Sequence, residues 1–197
     1  MNSIHSHLTV CAAEAARVAR GVRAESLSEP SVCADWKVRD LVNHLVLYSS
    51  HGLEHRALRK QLPEELTQHD FTADSDWARQ YATQLDRALA AWRDPAAWEG
   101  EVDLGFTRMP ASEIASLIVK ELALHGWDLA RSTGQDFKVP DETGEFVLAV
   151  VDEHAEVYRQ YDGFADPVAT ADGATAFERA LATSGRDPKG ADPKAWA

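Results

Sequence analysis

A carboxylate and an imidazole lie one helical turn apart on the apolar face of a strongly helical stretch, and this pair constrains the fold most. The stretch runs from Pro110 to about Ser132 and contains Glu121 and His125. A spacing of four residues stacks both side chains on one helix face. That face also carries apolar side chains, namely Ile114, Leu117 and Ile118. A carboxylate facing a core is costly unless a cation compensates it, and a divalent metal would use the imidazole as well.

A third candidate ligand, His44, lies on another helical segment, predicted from Trp36 to about Lys60. His44 shares a face with Leu41 and Tyr48, at offsets of three and four residues, so it too is expected to point inward. Facing helices of a bundle build metal sites in this way. Two imidazoles and one carboxylate suit Zn²⁺, Fe²⁺ or Ni²⁺ and leave positions for water or substrate.

Helical spacing recurs along the chain and predicts an all-α bundle of four long helices with shorter additions. Asp35 is expected to cap the helix that begins at Trp36. A weakly alternating segment, 98–106, predicts a short strand or hairpin. The remaining helices are predicted at about 5–23, 75–92, 140–161 and 177–181. Without a visible repeat or boundary, residues 1–197 are expected to form one domain, with an irregular tail from about residue 163.

The charge balance limits the partners. Lys and Arg number 20 against 32 Asp and Glu, a net charge of −12, which argues against binding to nucleic acid or to an anionic membrane surface. Glu14, Arg17 and Arg20 interrupt the apolar stretch near the start, so no signal peptide or membrane span is expected. Cys11 and Cys33 are predicted to be small core residues in a reducing, cytoplasmic setting.

Two aspartates are candidates for the shell around the proposed ligands. Asp40 precedes His44 by four residues and either accepts its second ring N–H or stabilises the helix start. Asp128 follows His125 by three residues and either supports that ring or binds a partner helix.

Two further histidines, His51 and His55, are secondary candidates as ligands or cleft residues. Seven residues of helix span about 10 Å, which is too far for His51 to share one ion with His44. The sequence contains no glycine-rich phosphate loop and no Gly-x-Ser-x-Gly motif, so no nucleophilic serine is identified.

Two segments resemble a known family. They read Trp36-x-x-Arg-Asp-Leu-x-x-His44-Leu and Glu121-x-x-x-His125-Gly-Trp-Asp-Leu-Ala-x-x-Thr133-Gly-Gln135. This pattern is similar to the mycothiol-dependent maleylpyruvate isomerase N-terminal domain family, part of the DinB-like four-helix-bundle metalloproteins. The closing Ser184-Gly-Arg-Asp-Pro188 resembles the tail of the short, single-domain branch. The resemblance implies that His44, Glu121 and His125 hold one divalent metal, usually zinc or nickel, and that a mycothiol-like low-molecular-weight thiol is the co-substrate.

The chain departs from the family pattern at two places. Lys37 stands where the family often has Thr or Ser, which are suited to capping. The isomerase itself carries a further C-terminal lobe that contributes to its active site, and only the residues after 163 remain here for such a role.

Three functions stay open from the sequence. The first is a metal-dependent enzyme that lowers the pKa of a small thiol for transfer or isomerisation on a small electrophilic substrate. The second is a non-catalytic metal- or ligand-binding bundle, such as a sensor. The third is a metal-assisted hydrolase with Asp128 as the base. The oligomeric state stays open between a monomer and a homodimer.

Overall fold

The computed structural model describes residues 3–105 and 107–189, and helices dominate it. The helices are α1 (Ser3–Arg20), α2 (Val38–Leu45), α3 (Gly52–Ala57), α4 (Glu64–Thr67), α5 (Trp77–Ala91), α6 (Ala111–Ser132), α7 (Asp141–Gln160) and α8 (Ala176–Thr183). The predicted all-helical class is therefore confirmed. Among the described residues, no helix combines the length and apolar character needed to cross a membrane.

Contacts divide the chain into two compact units, one ending at Phe137 and the other beginning at Lys138. The sequence predicted one domain with an irregular tail from about residue 163. The candidate ligands all belong to the first unit.

In the first unit, α1 packs against α5 and α6. The apolar stripes of these helices form a core whose fully buried members include Leu8, Val18, Leu85, Trp92, Leu122 and Leu129. The indole Nε1 of Trp92 donates a hydrogen bond of 2.9 Å to the carbonyl of Leu53, so its one polar atom is satisfied inside the core. Cys11 is buried, as predicted, and burial raises the pKa of its thiol to about 12.

The helix predicted from Trp36 to Lys60 is interrupted. It begins at Val38, and α2 is joined to α3 by the π-helical segment Val46–His51, which we call the wide turn. At its end the N–H of Gly52 donates to the carbonyl of Leu47, five residues back instead of four. One extra residue in the turn changes which side chains share a face before and after it.

Two serines support the wide turn. The hydroxyls of Ser49 and Ser50 donate to the carbonyls of Leu45 and Val46, each over 2.6 Å. Ser49 also forms a hydrogen bond of 2.8 Å with the buried hydroxyl of Tyr81 on α5. Side-chain hydroxyls thus satisfy polar groups at the point where the regular ladder is broken.

The small β element is an antiparallel pair, β1 (Glu101–Asp103) and β2 (Arg108–Pro110), with Val102 opposite Met109. β1 lies in the predicted segment 98–106, and β2 follows it; Phe106 lies outside the described residues. Directly after β2 the chain enters α6, the helix that carries two candidate ligands.

The second unit contains α7 and α8 packed together. A Cβ at Gly144 on α7 would lie 3.1 Å from the backbone nitrogen of Phe177 on α8, so the absence of a side chain permits this close approach. At the start of α8, Thr175 and Glu178 form a reciprocal capping box. The short helix predicted within the tail is confirmed.

Candidate metal centre

Glu121 and His125 lie on one face of α6, as their spacing predicted. The Nε2 atom of His125 is 3.5 Å from Oε1 of Glu121, and both side chains are about one-fifth exposed. α6 contacts α2 along this face. The pair is therefore presented to the neighbouring helix while still being reached by solvent.

His44 on α2 completes the cluster. Its Nε2 atom lies 2.5 Å from Oε1 of Glu121, the same oxygen that faces His125. The rings of His44 and His125 have centroids 4.8 Å apart. Potential ligand atoms of His44, Glu121 and His125 all lie within 4.8 Å of one another. The structure thus brings together the three residues that the sequence singled out.

Glu121 is held in its ionised form by its neighbours. Burial alone would raise the pKa of its carboxyl group, but the positive charge of His125 and the hydrogen bond from His44 outweigh burial and hold the pKa well below its usual range. The buried Lys120 contributes in the same direction, with Nζ 3.9 Å from Oε2 of Glu121. One carboxylate oxygen therefore faces the two imidazoles and the other faces a cation.

The second nitrogen of His125 is fixed by Asp128. Nδ1 of His125 lies 2.9 Å from Oδ2 of Asp128, whose side chain is 2% exposed. A carboxylate only accepts hydrogen bonds, so Nδ1 carries a hydrogen toward Asp128, and Nε2 is the nitrogen that faces Glu121. This is the geometry that orients a histidine for metal binding.

Cys33 is the neighbour that sequence reasoning missed, having assigned it to the core. It is only partly buried, and its thiol donates to the Asp128 carboxylate oxygen that also faces His125, with sulfur and oxygen 3.4 Å apart. Cys33, His125 and Asp128 form a second group of potential ligands that shares His125 with the first. Cys33 lies 95 residues from Asp128, so no local spacing signalled the contact.

A loop ahead of α2 is fastened to α6. The N–H of Val32 donates to the hydroxyl of Ser132 over 3.0 Å, and that hydroxyl donates to the carbonyl of Asp128 over 2.7 Å. The N–H of Ser31 donates to the carbonyl of Trp36 over 2.8 Å, which closes the loop. The loop therefore holds Cys33 and Trp36 in place beside the cluster.

Aromatic rings surround the histidines. The ring of Trp36 lies 5.0 Å from that of His44 and 6.2 Å from that of His125, measured between centroids. The ring of Tyr48 lies 4.8 Å from that of His44, and Tyr48 is 40% exposed. The cluster thus has a partly open, aromatic rim.

Asp40 is placed at the start of α2. Its carboxylate accepts the backbone N–H of Lys37 over 2.9 Å, and among the described residues no hydrogen bond joins it to His44. The prediction that Asp35 caps this helix is wrong, because Asp35 lies in the preceding turn with a φ of 64°. One of the two hydrogen bonds of a capping box is therefore present at this helix, from the Lys37 N–H to Asp40. The other is absent, because the Lys37 side chain has no acceptor.

The two secondary histidines lie away from the cluster. His51 stacks on Phe71 with centroids 5.3 Å apart, and Nδ1 of His55 is 2.9 Å from the carbonyl of His51. Neither belongs to the groups of potential ligands found among the described residues.

The cluster offers the donor atoms that a divalent metal prefers, and one of the two distances to Glu121 already suits an ion. Two ligands about 2.0–2.1 Å from a tetrahedral ion are separated by about 3.3 Å, close to the separation of His125 and Glu121. The shorter contact of His44 with Glu121 is a charge-assisted hydrogen bond, which would lengthen by about 1 Å around an ion. Small side-chain rotations can supply that difference.

Comparison with known proteins identifies related folds. The family model described as "Mycothiol maleylpyruvate isomerase N-terminal domain" matches residues 8–130. A solved structure of the mycothiol-dependent maleylpyruvate isomerase is similar over 95% of this chain and 90% of that chain, at 15% identity and a TM-score of 0.62.

A histidine-to-alanine mutant of the same kind of isomerase gives a similar result. It matches 78% of this chain and 68% of that chain, at 17% identity and a TM-score of 0.61. No curated protein sequence matches the chain.

Proposed function

Because the chain belongs to the mycothiol maleylpyruvate isomerase N-terminal domain family, we propose that it is a metal-dependent enzyme that uses a low-molecular-weight thiol. The reaction would be transfer or isomerisation on a small electrophilic substrate. The observation that carries this proposal is the cluster of His44, Glu121 and His125, which lies inside the matched residues.

The three residues of the cluster would hold one divalent ion, zinc or nickel by the chemistry of the donors. Such an ion supplies a Lewis acid that lowers the pKa of a thiol bound beside it. Two neutral imidazoles and one carboxylate leave at least one coordination position for that thiol.

The protein's own side chains would orient the reaction. Asp128 fixes the His125 ring so that Nε2 faces the centre, and the loop that carries Trp36 closes one side. The side chains of His44, Glu121 and His125 are 25%, 17% and 20% exposed, so small molecules can reach the cluster from solvent. Asp128 is poorly suited to act as the base of a hydrolase, because it is buried and already accepts from two donors.

The same features define the expected partners. A half-buried cluster with an aromatic rim suits small molecules, and a net charge of −12 disfavours nucleic acid, because few phosphates could be neutralised. A gel-shift titration at low salt should therefore detect no tight DNA binding.

Cobalt substitution tests the proposal. Co²⁺ should bind at one equivalent per chain, and a neutral thiol such as 6-mercaptohexanol should then add a sulfur-to-cobalt absorption band. Hexanol serves as the control and should leave the spectrum unchanged. Failure to bind Co²⁺ or Zn²⁺ would overturn the metal site. Binding of metal without any response to thiols would instead favour a closed, non-catalytic metal-binding bundle.

A further inference from the structure

Arg56 is a partly buried cation near the cluster whose charge no described side chain neutralises directly. It lies on α3, and its Nη1 atom is fully buried without a hydrogen-bond partner among the residues that the structure describes. The carboxylate closest in sequence, Glu54, is turned away and accepts from Gln84 and Arg87. A buried guanidinium nitrogen that has no acceptor is costly, which points to an acceptor supplied by a bound molecule.

Gly52 makes room for this guanidinium. A Cβ at Gly52 would lie 2.2 Å from Nη1 of Arg56 and 3.4 Å from its Cζ. The side chain of Arg56 therefore folds back along its helix, over the position where residue 52 has no side chain. This is the direction in which helical side chains lean, toward the N-terminus of the helix.

The guanidinium is electrostatically coupled to the cluster. α3, which carries Arg56, packs against α6, which carries Glu121. Burial lowers the pKa of Arg56, and the negative charge of Glu121 opposes that effect. When the Glu121 carboxylate coordinates a divalent ion, its negative charge is neutralised by the ion and no longer offsets the positive charge of Arg56. A centre with one carboxylate, two neutral imidazoles and a divalent ion keeps one positive charge, and Arg56 adds another beside it.

We propose that Arg56 binds a carboxylate of the molecule that reacts at the cluster and so selects small carboxylic acids as ligands. This inference rests on the proposed function, because it assumes that the thiol binds at His44, Glu121 and His125. The carboxylate would belong either to the thiol or to the electrophile. A guanidinium binds a carboxylate with two parallel hydrogen bonds, which fixes orientation as well as charge.

The first arm of the test places the carboxylate on the thiol. The cobalt-substituted protein is titrated with 3-mercaptopropionate and 6-mercaptohexanoate, and with the neutral alcohols of equal chain length. For at least one length, the acid should bind at least about tenfold more tightly than the alcohol, the effect of one charged hydrogen-bonded contact.

The second arm places the carboxylate on the electrophile's side. 2-Mercaptoethanol is held at saturation, and succinate or succinamide is titrated while the cobalt spectrum or the heat of binding is followed. A preference of at least about tenfold for succinate would assign the carboxylate to the electrophile.

Three variants identify the residue responsible. Arg56→Gln should reduce the acid preference to about one and leave the affinity for the neutral thiols unchanged. Gly52→Ala should act in the same way, because its methyl group displaces the guanidinium while alanine favours the helix. Arg93→Gln removes an equal charge from an exposed position after α5 and should keep the preference.

The outcomes separate this inference from the function on which it rests. If neutral thiols leave the cobalt spectrum unchanged, the proposed function fails. If neutral thiols bind but the wild type prefers no acid over its neutral counterpart in either arm, the role of Arg56 is overturned and the metal–thiol function stands. The same conclusion follows if Arg56→Gln keeps the preference for the acid.

Discussion

Two helical regions supply the cluster, and they differ in regularity. α6 is continuous over 22 residues and presents Glu121, His125 and Asp128 at fixed spacings along one face. The helix that carries His44 is broken directly afterwards by the wide turn. In the first region spacing alone sets the distances between functional groups. In the second, hydrogen bonds from outside the helical ladder decide where the following residues point.

The largest expected effect comes from removing a ligand from either region. His44→Ala and His125→Ala should each lower zinc affinity by more than the roughly 10–100-fold typical of an outer partner. Bound metal stabilises the fold by mass action, about 2.7 kcal/mol at a hundredfold excess over Kd, so zinc should no longer raise the Tm of these variants. Calorimetric titration with zinc and thermal unfolding check both effects.

His154→Ala on α7 is the matched control, since it removes a histidine from the second unit. It should keep one equivalent of zinc and the zinc-dependent Tm. Full stoichiometry at low zinc concentration in both ligand variants would show that the two regions do not share an ion.

A smaller effect is expected from Asp40 and Asp128, each of which the sequence offers as a partner of a ligand histidine. Asp128→Asn should lower zinc affinity about 10–100-fold, because the amide no longer fixes the His125 ring in one orientation. Asp40→Asn should leave zinc affinity unchanged, since that carboxylate serves the N–H of Lys37. If both variants lost zinc affinity equally, Asp40 would have to support His44 after all.

The wide turn can be tested through its serine. Ser49→Ala should lower the free energy of unfolding by about 1–3 kcal/mol, because the buried hydroxyl of Tyr81 loses its partner. Ser116→Ala on the regular α6 removes a hydroxyl that also donates four residues back, to Ser112, and should cost no more than about 0.5 kcal/mol. Urea unfolding compares the two, and similar values would mean that the wide turn needs no side-chain support.

The smallest effect concerns pH. Burial, followed by the charge of His55, lowers the pKa of His51 below the unfolded value of about 6.5. Below that pH the unfolded chain therefore binds more protons at this group, and stability falls as the solution becomes more acidic. Denaturation of metal-free protein at about pH 7.5 and about pH 5.5 should show a smaller loss in His51→Gln than in the wild type. An identical loss would exclude His51 as a contributor.

The contrast between the two regions also explains what the sequence could predict. Glu121 and His125 follow from helical periodicity, and His44 follows because it precedes the wide turn, where the α-helical phase still holds. Arg56 lies beyond that turn, and the hydrogen bonds that widen it leave no signature in the pattern of apolar residues. Cys33 was missed because its position depends on a loop fastened to Ser132, a contact between distant parts of the chain.

The boundaries of the other elements show the same division. α7 was predicted to within one residue at either end because Pro140 precedes it and its apolar positions repeat regularly. By contrast, α4 is absent from the elements predicted from sequence, because its four residues are too few to show a period. Long regular elements are readable from sequence, whereas short ones depend on their surroundings.

Because of the wide turn, the number of residues between His44 and Arg56 decides whether the Arg56 side chain is directed toward the cluster. In a regular helix each residue advances the direction of the side chain by about 100°. Deleting one residue from Val46–His51 would restore an ordinary helix and turn Arg56 away from the cluster, although His44 and Arg56 would both still be present. Relatives of this chain could therefore gain or lose selectivity for acids by insertion or deletion, a change that a comparison of aligned residues alone would overlook.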